Sequence, residues 1–472
     1  RLYRNLFITI ASYFFYGLGN PFLCLLLFFS SSIDFFIGKK IYLTNLKIDE
    51  SLKTYEISDL EIKKKILLLA SLSFNIGLLF FFKYWDWFLD QSTYYLMKYE
   101  IISINLNFLK HHISVPPGIS FYTFQTLSYT IDIFRRKLVP ENKIVDYFAF
   151  VAFFPQLIAG PIERAKDILP QLNKSTKKIS LRIIDKSFFF ISWGLFKKLV
   201  FADNLGHLVS RCMENIKIPG VGLILLIAFS FQIYCDFSAY TDIARGTANL
   251  FGIKIKRNFL TPYFAINPSD FWQRWHISLS QWVKDYIYIP LGGNKCTKQR
   301  NVFNLLLTMT LMGLWHGASK YFIIWGFYQG MLLVLYRIIP IDKILINNLG
   351  RFLGSLFSKL IMYSFNLIGW LFFFSRHTSN FIVIYKSLIS TFSLFTSPMQ
   401  SIEVINILLY GLIIYITPII ISDFIGYKYN NEFVDIGALQ IYPVKVILYI
   451  IIFYGILIFG SRGSYDFIYF QF

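Results

Sequence analysis

The chain has 472 residues, of which 55% are hydrophobic and only 15% charged, against about 25% charged in soluble proteins. A mean hydropathy of +0.52 and repeated long apolar runs exclude a soluble enzyme and call for an all-α, polytopic membrane protein. A net charge of +19 would suggest nucleic acid in a soluble domain. In a membrane protein, lysine and arginine collect in cytoplasmic loops facing anionic lipid, so membrane lipid is the expected partner and nucleic acid is not.

The apolar runs 6–18 and 22–37 pair across Asn20-Pro21, where proline ends the helical pattern. The lysine-rich stretch 38–65 marks the cytoplasmic side. Residues 66–82 run outward, and 115–134 return to Arg135-Arg136-Lys137, starting at Pro116-Pro117-Gly118. The segment 144–160 has basic stretches at both ends, so it cannot cross once. With its prolines and Gly160 it is expected to form a re-entrant loop. Residues 187–203 go out and 221–240 come back to Arg245, Lys254, Lys256 and Arg257.

Residues 258–294 are too polar and aromatic for a span. Phe271, Trp272, Trp275, Leu279 and Trp282 follow a helical stripe, which predicts an amphipathic helix at the cytoplasmic interface. The uncharged run from Asn301 rises from the basic stretch Lys295–Arg300, and 320–336 returns. The segments 360–375, 403–422 and 444–460 then cross out, in and out. The total is about eleven spans, with the C-terminus outside the cytoplasm. One transmembrane domain over 1–472 is expected, with its core at 115–340 and C-terminal helices and tail at 360–472. The chain opens with Arg1 rather than Met, so a further segment ahead of it is expected.

Two histidines stand out. At about 1.5 Å per residue, His316 lies roughly 20 Å above the basic surface, inside a hydrocarbon core about 30 Å thick. An ionisable group at that depth points to function; the structural alternative is a histidine packed and hydrogen-bonded in the bundle. A buried neutral imidazole can accept a proton from an attacking hydroxyl. His276 lies in the aromatic segment. His111, His112, His207 and His377 read as surface or span-end residues. Asp236, Ser238, Tyr240 and Asp242 close a span, where the carboxylates could hold substrate, orient a histidine, cap the helix end or pair with Arg245. No His/Asp/Glu set has ligand spacing, so no metal is expected. Cys24, Cys212, Cys235 and Cys296 are scattered and read as structural.

Five stretches together resemble the membrane-bound O-acyltransferase family. They are Phe154-Pro155-Gln156-Leu157-Ile158-Ala159-Gly160-Pro161-Ile162, Asp236-Phe237-Ser238-Ala239-Tyr240-Thr241-Asp242, Phe271 to Ser280, Tyr286 to Asn294, and Gly313-Leu314-Trp315-His316-Gly317-Ala318. The likeness runs from about Tyr3 to Trp370. It is strongest to the branch of bacterial alginate O-acetylation and peptidoglycan O-acetyltransferase proteins, with the teichoic acid D-alanine exporter more distant. Ala239 departs from the glycine usual in that branch. The resemblance implies a protein core thinned between a cytoplasmic funnel and an outer cavity. It matches His316 to the family's essential histidine and His276 to its second one. It further implies supporting or substrate-binding parts for Asp236, Ser238, Tyr240, Arg274, Trp275, Asn294 and Trp315.

The tail Phe467-Ile468-Tyr469-Phe470-Gln471-Phe472 resembles the tyrosine motif of the small partner peptide in teichoic acid D-alanylation. A phenol with pKa near 10 leaves more readily than an alkyl alcohol, so Tyr469 is a candidate acyl carrier; an interfacial aromatic belt is the plainer reading. The expected protein is an O-acetyltransferase of the bacterial inner membrane, drawing on cytoplasmic acetyl-CoA. Bases at Lys254–Arg257 and Lys295–Arg300 would face the donor's phosphates. It would act with an extracytoplasmic transferase partner on peptidoglycan, or on alginate or another polysaccharide. Lipid or protein acylation, or a transporter with His316 as proton relay, are the alternatives.

Overall fold

Apolar chain segments leave the backbone little to bond except itself, so they fold as helices. The computed structural model is helical accordingly, with no strand among its described residues. It describes residues 1–51, 53–100, 106–111, 113–174, 179–375, 378–391, 399–436, 441–463 and 466–468. His112, His377 and Tyr469 lie outside them. The chain divides into two compact units, Arg1–Ile184 with Thr247–Lys256, and Asp185–Gly246 with Arg257–Phe472.

The first unit holds α1 (Leu2–Gly17), α2 (Phe22–Glu50), α3 (Thr54–Lys98), α4 (Ile119–Phe134), α5 (Ile144–Val151), α6 (Phe154–Leu157) and α7 (Ala165–Asn173). Helices α2 and α3 run past their apolar stretches because no proline interrupts their lysine- and glutamate-rich ends, which are good helix formers. Their interior carries a polar hub, where Asp34 accepts hydrogen bonds from Ser71 Oγ (2.6 Å) and Asn75 Nδ2 (2.8 Å). The stretch expected to re-enter is broken into α5 and α6, with Phe150 and Phe153 fully buried. Gly118, before α4, has φ +78°, and a Cβ there would meet the Leu157 backbone of that broken stretch. Only glycine suits both demands.

The second unit holds most of α8 (Leu181–Phe196), wound as a π-helix through Lys197–Ala202, then α9 (Asp203–Glu214), most of α10 (Val221–Leu250), α11 (Pro268–Arg274), α12 (Ile277–Val283), a π-turn at Lys284–Tyr288, α13 (Lys298–His316), α14 (Lys320–Ile338), α15 (Ile341–Phe374), α16 (Thr378–Ile389), α17 (Met399–Tyr429) and α18 (Tyr442–Phe459). Helix α9 was not expected. It buries Leu205, Leu208, Val209 and Cys212 on one face, but its charged residues mask that stripe in the sequence. Asp236 and Asp242 do not end a helix, because α10 continues to Leu250.

The aromatic stripe also departs from expectation. Two helices replace the one expected, since Trp275 is extended and His276 is left-handed (φ +44°, ψ +53°). Phe271, Trp272, Trp275, Leu279 and Trp282 are all buried in protein. Helix α11 starts on its own signal, Asn267-Pro268-Ser269-Asp270, in which Asn267 accepts from the Asp270 N–H (2.8 Å) and proline takes the first turn. Helices α13 and α14 form a hairpin that touches at Gly313 and Gly326, where a Cβ on Gly313 would sit 2.8 Å from the Gly326 Cα. Helix α15 breaks at Gly350 (φ +76°).

Among the described residues, seven helices are long and apolar enough to cross a membrane: α2, α3, α10, α14, α15, α17 and α18. Helices α1, α4, α8 and α13, counted as spans from the sequence, are shorter or more polar. The chain is a multi-pass, all-α membrane protein.

Candidate active site

His316 is the last residue of α13 and is 4% exposed. Its ring meets Trp315 (5.0 Å between centroids), Trp325 of α14 (5.1 Å) and Phe373 of α15 (5.2 Å), each edge to face. Gly317 follows because the Phe322 ring lies where a Cβ would stand. Ser319 then caps α14 through the Tyr321 N–H (3.3 Å). The Trp-His-Gly run thus ends one helix and lets the next fold back against the histidine.

His276 is fully buried, between Phe237 of α10 (4.7 Å) and Trp315 (6.1 Å). Trp315 therefore stands between the two histidines. The strained backbone of His276 is held from both sides. Leu260 N–H donates to the Arg274 carbonyl (2.9 Å), and Ile277 N–H donates to the Asn258 carbonyl (2.9 Å). Asn258 Oδ1 also accepts from Ser278 Oγ (2.6 Å). Arg274 serves the same loop, donating to Asp270 (2.7 Å), the Leu260 carbonyl (3.3 Å) and Thr261 Oγ1 (3.2 Å). Its Nε and Nη1 brace this loop. Burial lowers the His276 pKa to about 3, so its imidazole is neutral at physiological pH.

Asp236 lies one residue before Phe237 and pairs with Lys198 (3.0 Å), which also pairs with Asp203 (2.7 Å). Its second oxygen accepts the backbone N–H of Ile468 (2.7 Å). Phe467 packs on Tyr240 (5.2 Å) and Phe237 (6.2 Å). The tail residues just before Tyr469 are therefore seated on α10, beside the aromatic that touches His276.

Ser238 and Asp242 face elsewhere, into a polar cavity lined also by Lys197, Tyr234, Asp423 and Glu432. Lys197 Nζ reaches Asp242 (2.7 Å) and Ser238 Oγ (2.8 Å), and Tyr234 donates to Asp423 (2.9 Å). Of the two cations open to Asp242, Lys197 is nearer than Arg245 (3.8 Å), which is held by Glu432 (2.5 Å). Phe259 and Tyr234 line that cavity and also pack on Trp275 (5.0 and 6.2 Å), separating it from the histidines. Asn294 is exposed in the turn before α13, at the far end of that helix from His316.

The structure therefore gathers His316, Trp315, His276, Trp275, Asp236, Tyr240, Phe467 and Ile468. Ser238 and Asp242 stand in a separate cavity, Arg274 braces the loop that holds His276, and Asn294 stands apart. Sequence reading missed Asn258, a buried asparagine in a loop with no spacing signal, and Trp325, Trp370 and Phe373, hidden within ordinary apolar helices. It also missed Gln329 and Asn366, polar residues at helical spacing from Trp325 and Trp370.

The sequence model of the membrane-bound O-acyltransferase family, MBOAT, matches residues 134–340. The chain is similar to the protein named "Probable alginate O-acetylase AlgI" of Pseudomonas aeruginosa, 35% identical over 373 residues, which are 79% of this chain and 67% of that protein. It is similar to the peptidoglycan O-acetyltransferase of Helicobacter pylori, 32% identical over 418 residues, 82% of this chain and 74% of that one. A teichoic acid D-alanyltransferase of Streptococcus thermophilus is 29% identical over 238 residues, 46% of this chain and 56% of that one.

Proposed function

Since this chain belongs to the membrane-bound O-acyltransferase family and is an acyltransferase, we propose that it takes acetyl from cytoplasmic acetyl-CoA and delivers it, through Tyr469, to the opposite side of a bacterial inner membrane. The final acceptor is a hydroxyl of a cell-envelope polysaccharide, reached through a partner transferase. Relatives named for peptidoglycan and for alginate support that class, and peptidoglycan is our first choice.

In this mechanism His316 takes the phenol proton of Tyr469 as the phenol oxygen attacks the thioester carbonyl. The carbon–sulfur bond breaks, the proton passes to the departing thiolate, and His316 ends neutral. The tyrosyl ester keeps transfer potential because a phenol is a good leaving group. His276, neutral and buried, supports the reacting groups from across Trp315. Asp236 anchors the tail. The basic turn Lys295–Arg300 offers cations to the donor's phosphates.

The observation that carries the reading is the hydrogen bond from the Ile468 N–H to Asp236, which fixes the residue next to Tyr469 on the helix beside His276. The test is mass spectrometry of intact protein after incubation with labelled acetyl-CoA. One acetyl on Tyr469 is expected in the unaltered protein and none in His316→Ala, with transfer lowered by about 10²-fold or more. Full acetylation of the polysaccharide by Tyr469→Phe would defeat the relay. Undiminished transfer by His316→Ala would defeat the assignment of the base.

A further inference from the structure

We propose that Gln329 and Asn366 form a subsite for the amide groups of a pantetheine arm, the part of the acyl donor that leads to the thioester. This rests on the acetyl-thioester reading above and names how that donor is held.

Helix α14 presents Phe322, Trp325 and Gln329 at i, i+3 and i+7, and α15 presents Asn366, Trp370 and Phe373 at i, i+4 and i+7. These two faces meet. Phe322 packs on Phe373 (5.0 Å), Trp325 on Phe373 (5.1 Å), and Trp325 stacks on Trp370 (6.5 Å). The Tyr328 hydroxyl donates to the Phe365 carbonyl (2.9 Å), which fixes the register. Gly369 leaves room for Gln329, whose Nε2 stands 2.9 Å from where a Cβ would be. His316 rests on Trp325 and Phe373 of this same pair of faces.

Gln329 and Asn366 are each 2% exposed. Among the described residues, neither Nδ2 nor Oδ1 of Asn366 finds a hydrogen-bond partner, and neither does Oε1 of Gln329 or the indole Nε1 of Trp272. Buried polar groups are almost always paired, because an unpaired one forfeits its hydration for nothing. Two carboxamides left so in one seam, beside the histidine, are suited to a ligand that brings its own donors and acceptors. A carboxamide matches a secondary amide in both, and it is neutral, so it admits an uncharged polar arm into an aromatic box.

The position suits that arm. Gln329 lies one turn from Trp325 toward the Arg337 end of α14, and Asn366 one turn from Trp370 toward the Lys359 end of α15. Four residues advance roughly 6 Å along a helix. Both amides thus sit on the basic side of His316, the side from which an anionic donor would be drawn. In pantetheine two methylenes separate the sulfur from the first amide nitrogen, so a thioester at His316 places that amide about one helical turn back. The arm is the same on free coenzyme A and on a carrier protein.

The test compares thiol release from acetyl-CoA, S-acetylpantetheine, S-acetyl-N-acetylcysteamine with one amide, and ethyl thioacetate with none, using the full chain in detergent. The unaltered protein is expected to lose about tenfold or more in kcat/KM between the first two donors and ethyl thioacetate. Asn366→Leu is expected to lower kcat/KM for acetyl-CoA by about tenfold or more, chiefly through KM, and to leave ethyl thioacetate unchanged. Gln329→Met gives the same contrast independently if Asn366→Leu fails to fold. Equal losses on every donor, or no loss on any, would overturn the subsite. If the unaltered protein uses no thioester at all, the donor reading itself fails, and the subsite with it. Running the same variants with an acetylated carrier protein in place of acetyl-CoA tells the two sources apart; loss on the donor that is used supports the subsite.

Discussion

His276 carries two costs at once, a left-handed backbone (φ +44°) and a buried imidazole. Non-glycine residues in that conformation persist only where their surroundings insist on it, and they cluster at functional sites. Here the insistence comes from Asn258 and Arg274. The burial has a measurable sign. The folded pKa is about 3, whereas the unfolded chain titrates near 6.5. Below about pH 6.5 the unfolded chain binds a proton that the fold refuses, so this stabilisation is full above that pH. It is lost as pH falls toward 3, by about 1.4 kcal/mol per pH unit. His276→Asn keeps a residue tolerant of the left-handed region and removes the proton. Melting followed from pH 7.5 to 5 should fall more steeply for the unaltered protein than for His276→Asn; parallel slopes would show that His276 is protonated in the fold. His316 was legible as a candidate because an ionisable residue at the end of an uncharged run stands out in the sequence. Asn258, buried and bonded to Ser278, and Asn366, buried with neither side-chain atom paired among the described residues, were not, since burial and pairing are properties of packing and leave no mark in one sequence.

At the scale of elements, the α13–α14 hairpin sets the position of His316. Its contact point is Gly313, one turn before the histidine, where an added Cβ would strike the Phe322 carbonyl as well as Gly326. Backbone cannot yield as a side-chain tip can, so Gly313→Ala should cost about 1–3 kcal/mol and displace His316 from Trp325 and Phe373. Gly77→Ala in α3, where nothing lies within 4 Å of the new methyl, should be neutral or stabilising. Comparing the two melting temperatures and rates checks this; equal effects would mean that the hairpin has slack. Most helices were readable from apolar length, and the break at Pro116-Pro117-Gly118 fell where proline and glycine pointed, whereas the chain between α5 and α6 breaks ahead of Pro155, at Ala152-Phe153. The ends of α2, α3 and α10 were not, because polar residues that stop an apolar run do not stop a helix. The split of the aromatic stripe at His276 was equally hidden, since periodicity reports a repeat but not the left-handed residue that interrupts it.

For the molecule as a whole, the distribution of its 46 lysines and arginines predicts that the basic turn before α13 and the segment after α18 face opposite sides of the membrane. Cys296 is a natural thiol in that turn, and Arg462 is exposed beyond α18. In cells, a membrane-impermeant maleimide should label Arg462→Cys and spare Cys296 until the membrane is opened; labelling of both together would refute the orientation. The placement of the tail has a further consequence. From Phe459 to Ile468 the chain spans few residues before it binds Asp236. A ligand on so short a tether meets its site at an effective concentration in the millimolar range, whatever the amount of protein present. Seating Ile468 is therefore insensitive to dilution, and extraction into detergent cannot wash the segment away as it could a separate peptide. Competition by an added tail peptide would require comparably high concentrations.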